Sequence, residues 1–238
     1  MKILAVDSSA LIASVALCED EKLLAEYTIN NKNTHSETLL PMIESLLSFF
    51  SFEIKDIDAF AVSSGPGSFT GVRIGAATIK GLAFASKKAC IGVSTLEALA
   101  YNLRSHKGII CPVMNARRSQ VYTAVFRSDG ETVTRIMPDS AMAISELDEL
   151  LAEYGEDVAL VGDGYEITKE GARKTSFCET PERLRHQSAF SVAEVALKQY
   201  RQGNCNGDTE LCVDYLRPSQ AERERAEREQ AEAAKNQI

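Results

Sequence analysis

The residues best suited to chemistry in this chain are the glycines and hydroxyls of Gly65-Pro66-Gly67-Ser68-Phe69-Thr70-Gly71-Val72-Arg73-Ile74-Gly75. They follow the apolar run Ala59-Phe60-Ala61-Val62 and open a helical pattern that reaches about Ala85. A glycine-built turn from strand to helix sets backbone N–H groups where an anion or a closely packed neighbour can meet them. The stretch has no Gly-Lys-Ser/Thr, so it is not a phosphate-gripping P-loop. It also misses the dinucleotide fingerprint, because its last glycine comes one place late. About 20 residues on, where an acidic ribose ligand belongs, the chain reads Cys90-Ile91-Gly92-Val93.

Other residues could take part. Asp7 ends the first apolar run and is followed by Ser8 and Ser9. A carboxylate there could hold Mg²⁺ while the hydroxyls meet a phosphate; equally, the side chain could close the turn by accepting from its own backbone. His35 opens the first long helix, and His106 and His186 stand far from it without ligand spacing. No His-Glu-x-x-His is present, which removes the common zinc-hydrolase reading. Arg117 and Arg118 lie in a turn between two strand patterns, either aimed at an anion or simply exposed.

The elements that must position these groups follow from periodicity. Strand patterns at 2–6, 14–17 and 23–29 come first. Thr34-His35-Ser36-Glu37 is a capping box and opens a helix with the stripe Leu39, Leu40, Ile43, Leu46, Leu47 and Phe50. Pro41 inside it predicts a kink. A strand at 59–63, a helix at about 68–86, a strand at 90–93 and a second capping box, Ser94-Thr95-Leu96-Glu97, follow. Strands at 109–113, 121–126 and 132–137, a helix at 145–154, a strand at 158–161 and a helix at 190–200 repeat the order. The expected fold is α/β, a duplicated βββαβα unit with mixed sheets. The expected boundaries are 1–106 for the first half and 107–217 for a reduced second half. Residues 218–238, with Ala, Glu, Arg and Gln and no apolar stripe, are expected as a charged helical or disordered tail.

The helix after the glycine turn carries Gly71, Gly75 and Gly81, each costing roughly 1 kcal/mol against alanine in a helix interior. Gly71 and Gly75 share a face that lets another element come close, either the chain's own sheet or a partner helix. The second choice gives a candidate partner interface of Leu39, Ile43, Leu46, Phe50, Gly71, Gly75 and Ile79, in which an arginine at position 75 disrupts pairing but not the fold. No catalytic, cofactor-binding or metal-binding residue is assigned.

The chain has 238 residues and a net charge of −8, with 45% hydrophobic and 25% charged residues. That is ordinary globular composition, enough for a sizeable core. The acidic balance argues against strong direct binding of nucleic acid, which draws its affinity from Lys and Arg. Six scattered cysteines without a Cys-x-x-Cys pair fit free thiols in a reducing compartment. No apolar run approaches a membrane span and none resembles a signal segment, so the expected location is cytoplasmic.

Ile3-Leu4-Ala5-Val6-Asp7-Ser8-Ser9, His35-Ser36-Glu37-Thr38-Leu39-Leu40-Pro41, Gly65 to Gly75, Lys80-Gly81-Leu82-Ala83, Ser94-Thr95-Leu96-Glu97-Ala98-Leu99 and Tyr215-Leu216-Arg217-Pro218 together resemble the TsaB (YeaZ) family. The resemblance runs from about residue 2 to residue 220. It implies the actin-like (ASKHA, ribonuclease-H-like) fold. It further implies a non-catalytic subunit that supports the catalytic protein TsaD, with the ATPase TsaE, in making threonylcarbamoyladenosine (t6A) on the tRNA adenosine just after the anticodon. The related TsaD carries a His-x-x-x-His metal pair, and the matching places here are Thr95 and Leu99. The resemblance therefore implies that ATP and metal belong to partner subunits, with no cofactor in the isolated chain. It also implies pairing through the first two helices, as a homodimer when alone, and only indirect contact with tRNA. Two rival readings are an M22-type metallopeptidase and an actin-like small-molecule kinase using Asp7 and the glycine turn. One departure is Asn115-Ala116-Arg117 where the family often has Asp-Ala-Arg.

Overall fold

Ile3, Leu4, Ala5 and Val6 are all fully buried. Leu4 and Val6 enter one core and Ile3 and Ala5 another, so β1 (Lys2–Asp7) must lie inside a sheet covered on both faces. The computed structural model describes residues 1–30, 34–205 and 211–217. After β1 come β2 (Ala13–Glu19), β3 (Lys22–Ile29), α1 (His35–Phe49), β4 (Ala59–Gly65), α2 (Phe69–Ser86), β5 (Ala89–Ser94) and α3 (Thr95–Tyr101). The second series is β6 (Lys107–Asn115), β7 (Gln120–Asp129), β8 (Val133–Ala143), α4 (Ile144–Ala152), β9 (Val158–Val161), α5 (Tyr165–Gly171), β10 (Phe177–Cys178) and α6 (Ala189–Arg201).

The first sheet runs β3-β2-β1-β4-β5 and the second β8-β7-β6-β9-β10. In each, the three meander strands pair antiparallel and the two later strands join in parallel. The same order and the same senses occur twice, which is the duplicated actin-like arrangement. The sequence reading missed α5 and β10: the first is a seven-residue helix without a side-chain cap, the second only two residues long.

α1 and α2 cover one face of the first sheet. α3 and α6 cover the other. This departs from the domain boundary read in the sequence, because α6 follows the second half in the chain but packs on β1 and β2 of the first. Val192, Val195 and Ala196 meet Ile3, Ala5, Ala16 and Ala61 there. α3 also contributes Leu96 and Leu99 to a core shared with Ile110 and Phe126, so it joins the halves from behind. The tail expected at 218–238 lies outside the described residues.

The stripe proposed as a partner interface turns out to be core. Leu39, Ile43, Leu46 and Ile79 are at most 1% exposed and pack together between α1, α2 and the sheet. Phe50 is half-buried against the same core and stacks on Phe52. The stripe is wide because α1 must cover both β2 and its neighbour α2, and the chain itself fills that width. α1 runs as one helix through exposed Pro41. Glu37 returns to accept from the Thr34 N–H at 3.1 Å, as a capping box requires. The second capping box forms only in half. Ser94 accepts from the Glu97 N–H at 3.2 Å, but the Glu97 carboxylate turns away to Arg135 at 3.2 Å and towards Lys198 at 3.8 Å.

Candidate functional site

The ends of β1, β4 and β6 meet the N-termini of α1 and α2 at a cleft of about 720 Å³ between the two sheets. Its walls include Ser9, His35, Ser68, Arg117, Tyr122, Asp163 and Tyr215. Parallel strands feeding helices put such a crevice at the carboxyl ends of the strands, where ligands of α/β folds bind.

The chain's own atoms occupy the chemistry at this crevice. Asp7 is 1% exposed. Its Oδ1 accepts from the Ser9 N–H at 2.9 Å and the Ser9 hydroxyl at 2.7 Å, and its Oδ2 accepts from the Ser63 hydroxyl. The turn-closing reading of Asp7 is therefore the one the geometry supports. Burial pushes its carboxyl above the ordinary value of 3.8, while the donors Ser63 and Ser9 and the nearby His35 pull the other way. Among the described residues, no group of three or more His, Cys, Asp or Glu is placed to hold a metal ion.

The glycine turn is equally committed. Ser68 caps α2, accepting from the Gly71 N–H at 3.3 Å, and its own N–H donates to Ser9 O at 2.6 Å. Ser8 donates to Gly71 O at 2.8 Å. A Cβ at Gly71 would fall 2.1 Å from Ser8 O, and one at Gly75 would fall 2.4 Å from Ser8 Oγ. These glycines exist to let the β1–β2 loop lie on α2, so the offset to their helix cost is internal packing. Both are buried. This corrects their place in the proposed interface, and an arginine at 75 has no room in the fold.

His35 donates from Nε2 to Ala10 O at 2.8 Å, since a carbonyl only accepts. His106 and His186 lie outside the cleft walls. Thr95 and Leu99 are at most 1% exposed on α3, and Leu99 is part of the core. In the second half, the Asn115 amide oxygen accepts from the Arg117 N–H at 2.8 Å. An aspartate would offer the same acceptor, so the turn keeps its hydrogen bond without the acid. Arg117, Arg118 and Ser119 all adopt positive φ, at 64°, 55° and 55°, and Arg117 lines the cleft while Arg118 does not.

Two groups escaped the sequence reading. One is the outward face of α2, where Arg73, Ala77, Gly81 and Phe84 are exposed at helical spacing. Phe84 is 74% exposed, and on α1 Leu40 is 47% and Phe49 76% exposed. The complement of the buried stripe would have revealed it. The other is the cleft role of segment 211–217, whose Tyr215 and Arg217 line the cleft; the sequence marked Tyr215-Leu216-Arg217 only as part of the family resemblance, and nothing in its periodicity places it at the cleft.

A family model described as TsaD, tRNA N6-adenosine threonylcarbamoyltransferase, matches residues 22–223. The tRNA threonylcarbamoyladenosine biosynthesis protein TsaB of Bacillus subtilis (strain 168) is 35% identical over 170 residues, covering 71% of this chain and 74% of that protein. TsaB of Escherichia coli (strain K12) is 28% identical over 206 residues, covering 85% and 89%. The solved structure of YeaZ from Pseudomonas aeruginosa superposes with a TM-score of 0.76 at 25% identity, covering 90% of this chain and 99% of that one. A family match across most of the chain, a close relative of similar length and the same fold agree: the chain belongs to the TsaB (YeaZ) family of tRNA threonylcarbamoyladenosine biosynthesis proteins, within the wider family described by TsaD.

Proposed function

We propose that this chain is a non-catalytic partner subunit, which binds and supports a TsaD-like catalytic subunit, with a TsaE-like ATPase, in forming t6A on the tRNA adenosine next to the anticodon. The observation that carries the reading is the state of the cleft. The strand-end carboxylate Asp7 behind it is buried and held by Ser9 and Ser63, Asp163 on its wall accepts from the Asn115 N–H at 3.1 Å, and its helix-start glycines are packed against Ser8. Those contacts support a scaffold role over the kinase reading. Leu99 in the core, where a metal ligand would be needed, supports it over the metallopeptidase reading. ATP and metal then belong to the partner subunits, tRNA is met through them, and the work is done in the cytoplasm.

The partner surface in this reading is the outward face of α1 and α2, carrying Leu40, Phe84 and the open backbone at Gly81. Exposed large apolar groups beside a bare glycine suit close approach of another helix. The same face pairs two copies when the catalytic subunit is absent. Phe84→Arg is expected to weaken co-purification with the catalytic subunit by about tenfold or more, because an arginine at the centre of an interface is an unpaired buried charge. Its melting temperature should stay that of the parent chain. Retained complex with the variant would rule this face out. Transfer of threonylcarbamoyl to tRNA by the isolated chain would overturn the scaffold reading itself.

A further inference from the structure

Residues 211–217 cross the open side of the cleft and touch both halves. The segment is anchored in the first. Leu211 is 5% exposed in the core under α1 and α2, and Val213 packs on that core. Lys80 Nζ donates to Leu211 O at 3.1 Å, and the Asp214 N–H donates to Ser64 O at 2.8 Å. Asp214 O lies so close to Gly65 that a Cβ there would be 2.3 Å away. Tyr215 then packs on Phe69 with its ring tilted, centroids 4.8 Å apart, and its hydroxyl accepts from Arg73 Nε at 2.6 Å. The far end belongs to the second half. Arg217 donates to Ala116 O at 3.4 Å and to the Gln120 side-chain oxygen, and its guanidinium lies 5.9 Å from the Tyr122 ring centre.

We propose that segment 211–217 is a clasp that sets the opening of the cleft. The halves are joined behind by α3, which shares a core with both, so relative motion about that joint opens or closes the front. Arg217 fastens the front by holding the turn of positive-φ residues between β6 and β7. That turn is backbone that relaxes unless its surroundings hold it. Tyr215 and Arg73 fix the other end of the clasp to the start of α2. This inference does not depend on the partner reading, since it concerns motion within the isolated chain.

Hydrogen exchange on the full-length Arg217→Ala variant tests it. The expected result is exchange about fivefold faster on both cleft walls, residues 66–72 and 116–122, with β1 and β6 unchanged. Tyr215→Ala should produce the same pattern from the opposite end. Acceleration confined to 212–217 would overturn the proposal, for the segment would then be a passive tail. Acceleration in all strands alike would overturn it too, because Arg217 would then support the fold as a whole and not the cleft opening.

Discussion

Asp7 shows how one residue can look catalytic and be structural. It sits at the end of a central strand, where a metal-binding carboxylate would, but it is buried behind the cleft wall and its oxygens are taken by Ser9 and Ser63. Its burial has a consequence for stability. In the unfolded chain this carboxyl ionises near 3.8, and burial raises that value in the fold. The folded state therefore holds the proton to higher pH than the unfolded one. The stabilisation is complete below the unfolded value and is lost as pH rises through the folded one. Asp7→Asn keeps an acceptor for Ser9 and cannot ionise. Melting temperatures of both proteins over a pH series should show the parent's advantage shrinking as pH rises from about 4. A difference independent of pH would mean that Asp7 titrates alike in both states. The sequence could place Asp7 at a strand end and name both of its roles. It could not choose between them, because the choice depends on Ser63, 56 residues away.

At the scale of elements, helical periodicity identified α1 and α2 correctly and misjudged what their faces meet. A stripe such as Leu39, Ile43 and Leu46 records that a face is buried, not whether the cover is a partner or the chain's own sheet. The second half contains a junction that no local pattern announced. Asp148 of α4 accepts from the N–H groups of Arg173, Lys174 and Thr175 at 2.6, 2.9 and 2.9 Å. It thereby ties the chain leaving α5 back onto α4 on its way to β10. Burial works against the Asp148 charge, but these donors outweigh it and hold the carboxyl below its usual range. Asp148→Ala leaves three backbone donors without their acceptor and is expected to cost about 3 kcal/mol. Asp148→Asn should cost less, since one oxygen remains. Urea unfolding of the two variants measures both, and an alanine variant as stable as the parent would mean that water replaces the carboxylate freely. The sign for pH is opposite to that of Asp7: this contribution is present above the unfolded pKa and lost as pH falls through the folded one.

At the scale of the whole molecule, the duplication was readable because the order of strands and helices repeats, and order survives errors at element ends. The path of α6 was not. Its amphipathic pattern requires a surface to cover, but both sheets offer one, and the answer lies in contacts from opposite ends of the chain. The Ala189 N–H donates to Ser14 Oγ at 3.0 Å, Ser188 donates to Glu26 at 2.8 Å and Arg201 pairs with Glu21 at 2.7 Å. Val192, Val195 and Leu197 seal the face of the first sheet that α1 and α2 leave bare. Each such side chain contributes about 2 kcal/mol on burial, so together they match a large part of the 5–15 kcal/mol that a domain commands. The first half is therefore expected to need α6 to fold, although its sheet is complete by Ser94. Residues 1–106 expressed alone should give no cooperative thermal transition and should bind a dye for exposed apolar surface. Adding a peptide of residues 186–205 should restore the transition and release the dye. A sharp melt from 1–106 alone would show that α3 covers that face well enough without α6, and the two halves would then be separable domains.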